Sequence, residues 1–144
     1  MSYLFSYCRS LEAIDLTKLD VSNTQKLNSM FFSCSSLTSI DISHFNFQII
    51  TDMSSIFCGC SKLISMDFSN INFKSLDSLN SAFYGCTSLV SIGLNNVNAP
   101  SLTDANHMFN SCISLQSIDF STFKVQKLIV MLVRFFQIVL LLNL

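Results

Sequence analysis

The chain has 144 residues, half of them hydrophobic, and its eight basic and nine acidic residues give a formal net charge of −1 at pH 7. This length and composition allow a buried hydrophobic core. The balanced charge offers no electrostatic attraction to nucleic acid or to an anionic membrane surface, so nucleic acid is excluded as a partner. The first ten residues lack the basic start and apolar run of a secretory signal peptide.

A repeat of 26 residues runs along the chain from its first residues. Each repeat carries phenylalanine, cysteine and leucine three residues apart, first as Phe5, Cys8 and Leu11, and no insertion interrupts the series. We call the units that start at residues 1, 27, 53, 79 and 105 repeats 1 to 5. Because the apolar columns coincide from repeat to repeat, neighbouring repeats are expected to bury them against one another.

Two kinds of element are predicted within each repeat. Apolar and polar residues alternate after the column leucine, which predicts one short strand with every second side chain in the core. Before the column cysteine, apolar residues lie three or four apart, as Leu79, Ala82 and Phe83 do, which predicts a short helix or 3₁₀ turn. Gly59 and Gly85 directly precede their cysteines, where a left-handed residue would end such a helix.

These elements predict an α/β fold: a leucine-rich-repeat solenoid of about five 26-residue coils, with a parallel concave sheet and short helices on the convex side. We expect it to cover residues 1–124. The period fails in residues 125–144, where we predict a capping helix. A membrane anchor and a misread gene end are the alternatives, because a spanning helix needs about 20 apolar residues and Arg134 interrupts this stretch. Repeat 1 has no polar cap, so the sequence is expected to be a fragment.

The repeat unit resembles a known family. The string M-x-x-[MI]-F-x-x-C-x-x-L-x-x-[IM]-D-[IF]-S covers residues 1–124 with local departures, and Met53 to Ser69 show it most fully. It closely resembles the repeat of BspA-like leucine-rich-repeat surface proteins. That resemblance implies a surface or secreted adhesin that binds host or matrix proteins. It therefore suggests a location at the cell surface or outside the cell, although no signal peptide is present in this sequence.

The polar strand positions form the predicted concave surface. Their central column is aspartate in four repeats, and Gly93 replaces it in repeat 4. Carboxylates about 5 Å apart repel, so they must be solvated, hydrogen-bonded to nearby hydroxyls, or neutralised by a cation or a basic partner. One carboxylate per strand does not create the roughly six to eight oxygen ligands of a calcium site, so no metal is predicted. The predicted binding residues are Asp15, Asp41, Asp67, Asp119, Ser39, Ser65, Ser91, Ser117, Ser43 and Ser69.

No arrangement of residues predicts catalysis. His44 and His107 occupy different columns, and no serine, cysteine or carboxylate recurs at a spacing that would assemble a catalytic triad. With three glycines in the chain, no glycine-rich phosphate loop is present. The column cysteines are predicted to be buried free thiols that pack as small apolar groups. We therefore expect no enzyme activity, no cofactor and no small-molecule substrate.

The sequence predicts a non-enzymatic protein-binding module that recognises a matrix or cell-surface protein through the concave face. The alternative is a structural spacer from a longer repeat array, with no binding site of its own. The predicted face lacks the exposed aromatic residues that dominate many binding hot spots, which weakens the binding hypothesis for this segment alone. Capture of a partner that depends on the aspartates would separate the two hypotheses.

Overall fold

The computed structural model describes residues 1–116, 118–119 and 121–124. In this part of the chain there is no helix, and there are two strands, β1 (Ser65–Asp67) and β2 (Ser91–Gly93). They pair in parallel, with Met66 opposite Ile92. The predicted leucine-rich-repeat solenoid, with a five-stranded concave sheet and convex helices, is therefore wrong. The predicted capping helix of residues 125–144 lies outside the described residues.

The segment predicted to be helical is a series of tight turns, which we call the turn segment of each repeat (residues 1–8, 27–34, 53–60, 79–86 and 105–112). In repeat 2, the N–H of Met30 donates to the carbonyl of Leu27 at 3.1 Å, and the N–H of Cys34 donates to that of Phe31 at 3.1 Å. Ser29 is the third residue of the first turn and has a φ of +56°. Ser33 is the third residue of the second turn and has a φ of +57°. A positive φ at this place is characteristic of a type II turn and cannot continue a right-handed helix.

Left-handed residues recur at these two positions in all five turn segments. Glycine, which adopts this conformation without strain, occupies only two of the ten places. The others carry serine, tyrosine or histidine side chains, and only histidine among these is enriched at positive φ. The residues concerned are Tyr3, Tyr7, Ser29, Ser33, Ser55, Gly59, Ser81, Gly85, His107 and Ser111.

Most of the other N–H groups of the turn segments bond to the next repeat. From repeat 2 to repeat 3, the N–H groups of Ser29, Phe31 and Ser33 donate to carbonyls of residues 54, 56 and 58 at 2.9, 2.9 and 2.7 Å. The same three bonds link repeats 1 and 2, 3 and 4, and 4 and 5. Backbone donors used in this way are unavailable to a helix, which is the second reason that no helix forms.

A column of stacked phenylalanines fills the core behind the turn segments. Neighbouring rings lie 5.3 to 5.6 Å apart between centroids and are inclined by at most 25°. The three inner rings have no exposed surface. Burial of an aromatic side chain contributes several kcal/mol to stability, about 3–5 kcal/mol by truncation to alanine. The rings belong to Phe5, Phe31, Phe57, Phe83 and Phe109.

The column cysteines lie beside these rings. All six cysteines of the chain are free, and four of the five column cysteines are buried as predicted, whereas the prediction is wrong for Cys8, which is exposed. Each buried thiol donates to the carbonyl of the phenylalanine in the preceding repeat, as Cys60 Sγ does to Phe31 at 3.1 Å. Burial raises the pKa of Cys34 and of Cys112 to about 11 and raises that of Cys60 further. These thiols therefore stay protonated and serve as structural donors.

Strand pairing in the described residues is limited to repeats 3 and 4. β1 and β2 pair where Asp67 faces Gly93. In repeats 1 and 2, the equivalent residues Asp15 and Asp41 would face aspartates, and no strand forms there. Elsewhere the repeats join through isolated parallel bridges, such as Lys26 with Asp52 and Asn72 with Asn98.

Candidate functional site: an exposed aspartate face

The predicted binding residues lie on one side of the stacked repeats, which we call the Asp face. Its aspartates are exposed, and so are most of its serines, whereas Ser69 is half-buried. In β1, Ser65 and Asp67 flank buried Met66, so their side chains leave the same face of the strand. Ser117 lies outside the described residues. The exposed members are Asp15, Asp41, Asp67, Asp119, Ser39, Ser43, Ser65 and Ser91.

Each aspartate is held by the residue two places after it. Oδ1 of Asp15 accepts the N–H of Thr17 at 2.9 Å, and Oδ1 of Asp41 accepts that of Ser43 at 2.8 Å. Asp67 and Asp119 repeat this contact at 2.8 Å with the serines that follow them. This is the local turn that aspartate favours, with its side chain bonded to its own backbone two residues on. The sequence Asp-x-Ser or Asp-x-Thr therefore fixes the direction of each carboxylate.

These hydrogen bonds keep the carboxylates ionised. The N–H and the hydroxyl of Ser43 lower the pKa of Asp41 below its usual value, and nearby His44 lowers it further. The pKa of Asp15 is lowered in the same way by Thr17 and His44. For Asp67 the largest cause is the hydroxyl of Ser69. A carboxylate offers about four lone-pair sites, so each exposed aspartate can still accept hydrogen bonds from a partner.

Gly93 interrupts the row of carboxylates. A Cβ built at Gly93 would lie 2.8 Å from Ser69 Oγ and would overlap the Asp67 carboxylate. The Asp67 side chain therefore leans over β2 into the space that an aspartate of repeat 4 would need. The row is continuous across repeats 1 to 3, has a gap at repeat 4, and resumes at Asp119.

An exposed apolar pair borders the Asp face and was not predicted. Ile64 and Val90 directly precede Ser65 and Ser91, and their side chains are 53% and 44% exposed. The two residues are neighbours, because the N–H of Val90 donates to the Ile64 carbonyl at 2.9 Å. The sequence could have shown this pair, because the position of Ile64 and Val90 in the repeat is apolar only in repeats 3 and 4. The other three repeats have a polar residue there.

The two histidines are not brought together. His44 is exposed and packs its ring edge-on against Phe45, with 4.9 Å between centroids. His107 is a left-handed residue of the fifth turn segment. Among the described residues, no group of three or more histidine, cysteine or acidic side chains could hold a metal ion. No helix in the same part of the chain is long and apolar enough to span a membrane.

The fold and the site define a protein of stacked 26-residue units that carry an exposed row of carboxylates. A family model described as "Mycoplasma protein of unknown function, DUF285" matches residues 1–92 and again residues 63–139. The chain belongs to this family. No curated protein and no solved structure matches it.

Proposed function

We propose that this chain is a non-catalytic module that binds a protein partner through the Asp face, and that the partner presents basic side chains. The observation that carries the proposal is the repeated contact between each aspartate and the N–H two residues later. It fixes each of the four carboxylates relative to its own backbone before any partner arrives. Groups that are ordered in advance lose less conformational entropy on binding.

The charge of the face supports a basic partner. The pKa values of its aspartates are lowered, so the carboxylates are negatively charged at neutral pH. Exposed carboxylates pair well with arginine and lysine, and arginine can bond both oxygens. Ile64 and Val90 add apolar surface at the border of this row.

Within the family, we propose that the chain is related to the BspA-like leucine-rich-repeat surface proteins. The support is the repeat string itself, with phenylalanine, cysteine, leucine and aspartate-serine elements in one register. If this relation holds, the partner is a matrix or cell-surface protein. No catalytic, cofactor or substrate role is part of the proposal.

The test is capture of proteins from matrix and cell-surface extracts on the immobilised full chain, at low and high salt. The first variant changes Asp15, Asp41, Asp67 and Asp119 to asparagine. A matched control changes Asp20, Asp52, Asp77 and Asp104, which lie off the face, and so removes the same charge. We expect capture that weakens with salt, is lost in the first variant and is kept in the control. Equal loss in both folded variants, or no capture by the unmodified chain, would favour the structural spacer.

A further inference from the structure

Repeats 3 and 4 differ from the other repeats along the Asp face. Ile64 and Val90 lead directly into β1 and β2 and are apolar where the other three repeats carry a polar residue. The N–H of Val90 donates to the Ile64 carbonyl, so the two exposed side chains extend from adjacent backbones. Repeat 4 also carries Gly93 in place of the column aspartate. These departures from the repeat pattern coincide in the two repeats whose strands pair.

A single aspartate serves both of these repeats. Oδ1 of Asp67 accepts the N–H of Ser69 at 2.8 Å, and the carboxylate occupies the space where a Cβ of Gly93 would lie. Repeats 1 and 2 carry one aspartate each, whereas the Asp67 carboxylate leans from β1 over β2. After the bond to Ser69, a carboxylate still has lone pairs for further donors. Repeats 3 and 4 therefore present one exposed carboxylate and two exposed aliphatic side chains.

The aliphatic pair and the carboxylate are close enough for one partner segment to contact both. Ile64 and Asp67 are three residues apart, and an extended chain advances about 3.3 Å per residue, so these positions lie about 10 Å apart. Ser65, the exposed residue nearest to Ile64 between them, has a small side chain. An extended partner segment carries alternate side chains on one face at intervals of about 7 Å. The long side chain of an arginine covers the remaining distance.

The aliphatic pair can provide the selectivity that carboxylates alone do not. A row of exposed aspartates attracts many basic surfaces, because the attraction depends on charge and acts over a distance. Burial of aliphatic surface stabilises a complex in proportion to the area removed from water. A basic segment with a well-placed apolar residue therefore binds repeats 3 and 4 more tightly than a segment that is only basic.

We propose that Ile64, Val90 and Asp67, which we call the mixed patch, determine the specificity of the Asp face. The mixed patch binds an extended protein segment that has an apolar residue and an arginine two positions apart. The apolar residue packs on the aliphatic pair, and the guanidinium donates to the carboxylate. Arginine is preferred to lysine because its planar guanidinium is weakly hydrated and can bond both oxygens. This inference rests on the proposed function and adds which basic partners the face selects.

The test selects peptides from a phage-displayed library of random linear sequences on the immobilised full chain. The same selection is made on Ile64→Thr combined with Val90→Thr and on the fourfold asparagine variant described above. Thr38 occupies this position in repeat 2, so the double variant should fold, which its urea midpoint checks. The matched control is Tyr84→Thr, which removes an exposed apolar side chain from a turn segment.

We expect the unmodified chain and the Tyr84 variant to enrich peptides with an apolar residue and an arginine two positions apart. The double threonine variant should enrich basic peptides without this spacing. In fluorescence anisotropy, it should bind the peptide most enriched on the unmodified chain about tenfold more weakly, because the aliphatic contact is lost.

The possible failures of the two proposals are distinguishable. Enrichment of basic peptides without an apolar preference, or equal affinity of the unmodified and double threonine chains, would overturn the mixed patch and leave the binding of basic partners intact. Enrichment of no basic peptide, or enrichment that the fourfold variant retains, would overturn the proposed function and the mixed patch with it. Self-association in sedimentation that the double threonine variant loses would place a second copy of this chain on the patch, which also contradicts the inference.

Discussion

The turn segments and the Asp face belong to the same 26-residue period but are held in different ways. In the turn segments, rings such as Phe57 are fully buried, and in each of repeats 1 to 4 at least three N–H groups bond to the next repeat. On the Asp face, side chains are exposed, and β1 and β2 form one pair of three-residue strands. The turn segments therefore provide most of the stability, whereas substitutions on the Asp face should change the free energy of unfolding little.

The largest effect is expected from truncating the phenylalanine column. Phe57→Ala should lower the free energy of unfolding by about 3–5 kcal/mol, because Phe57 is fully buried between two stacked rings. Urea denaturation measures this change. Tyr84→Ala, in the next turn segment but 41% exposed, is the control and should cost less than about 1 kcal/mol. Equal costs would show that the column is not the source of stability.

The left-handed positions should be the next most sensitive. Gly59 and Gly85 have φ values of +75° and +72°, so an alanine at either place should cost about 1–2 kcal/mol in strain. Gly59→Ala should cost more than Gly85→Ala, because its Cβ would lie 3.1 Å from Ser33 Oγ, whereas the nearest atom at Gly85 is 3.9 Å away.

The reason for that difference can be checked by a double-mutant cycle. Adding Ser33→Gly to Gly59→Ala removes the crowding hydroxyl, so the extra cost should disappear in the measured unfolding free energy. If Gly59→Ala is neutral, the turn geometry described for the turn segments is contradicted.

A small apolar cavity in the core predicts a modest gain in stability. It is lined by Phe73, Leu94, Ala99, Met108 and other apolar side chains. The column of Ala99 carries larger residues in repeats 1 to 3, so Ala99→Val should fill the space and raise the unfolding free energy by about 0.5–1 kcal/mol. Thermal melting would show a higher midpoint. Ala105→Val, at a buried position outside this lining, is the control and should not stabilise the chain.

The smallest effect at neutral pH is expected on the Asp face. Changing Asp15, Asp41, Asp67 and Asp119 to asparagine should leave the urea midpoint nearly unchanged, because exposed charges contribute little to stability. A large loss of stability at neutral pH would contradict the division between the two regions.

The same variant should differ from the unmodified chain in acid. The pKa values of the four aspartates are lowered from 3.8 in the folded chain. Their contribution to stability is therefore present above pH 3.8 and is lost as the pH falls through the folded values. Urea midpoints measured from neutral pH to well below pH 3.8 should fall less steeply for the fourfold variant than for the unmodified chain. An identical dependence of the midpoint on pH would show that the four aspartates do not stabilise the fold.

The sequence predicted burial better than it predicted backbone conformation. The phenylalanine and cysteine columns are buried in repeats 2 to 4, as expected from their period. The helices were wrong because successive type II turns also place apolar residues three or four apart. Only Gly59 and Gly85 signalled a positive φ, while Ser29, Ser55 and Ser81 adopt one without any such signal.

The Asp face was predicted as a set of exposed polar residues, and its internal contacts follow from local chemistry. Asp-x-Ser is a recognisable turn sequence, so the bond from Ser43 to Asp41 could be anticipated. The limited extent of strand pairing could not be anticipated, because alternation of apolar and polar residues reports burial and not backbone pairing between repeats. The binding residues, the partner and the location at the cell surface stay predictions.

Native-state hydrogen exchange measures the division between the two regions most directly. We predict that the N–H groups of Phe31, Phe57 and Phe83, which bond between turn segments, exchange slowest, close to the rate set by global unfolding. The N–H groups of Ser43 and Ser121, which bond exposed aspartates, should exchange far faster. Uniform protection of both sets, or slower exchange on the Asp face, would contradict the conclusion that the turn segments hold the fold and leave that face free to bind.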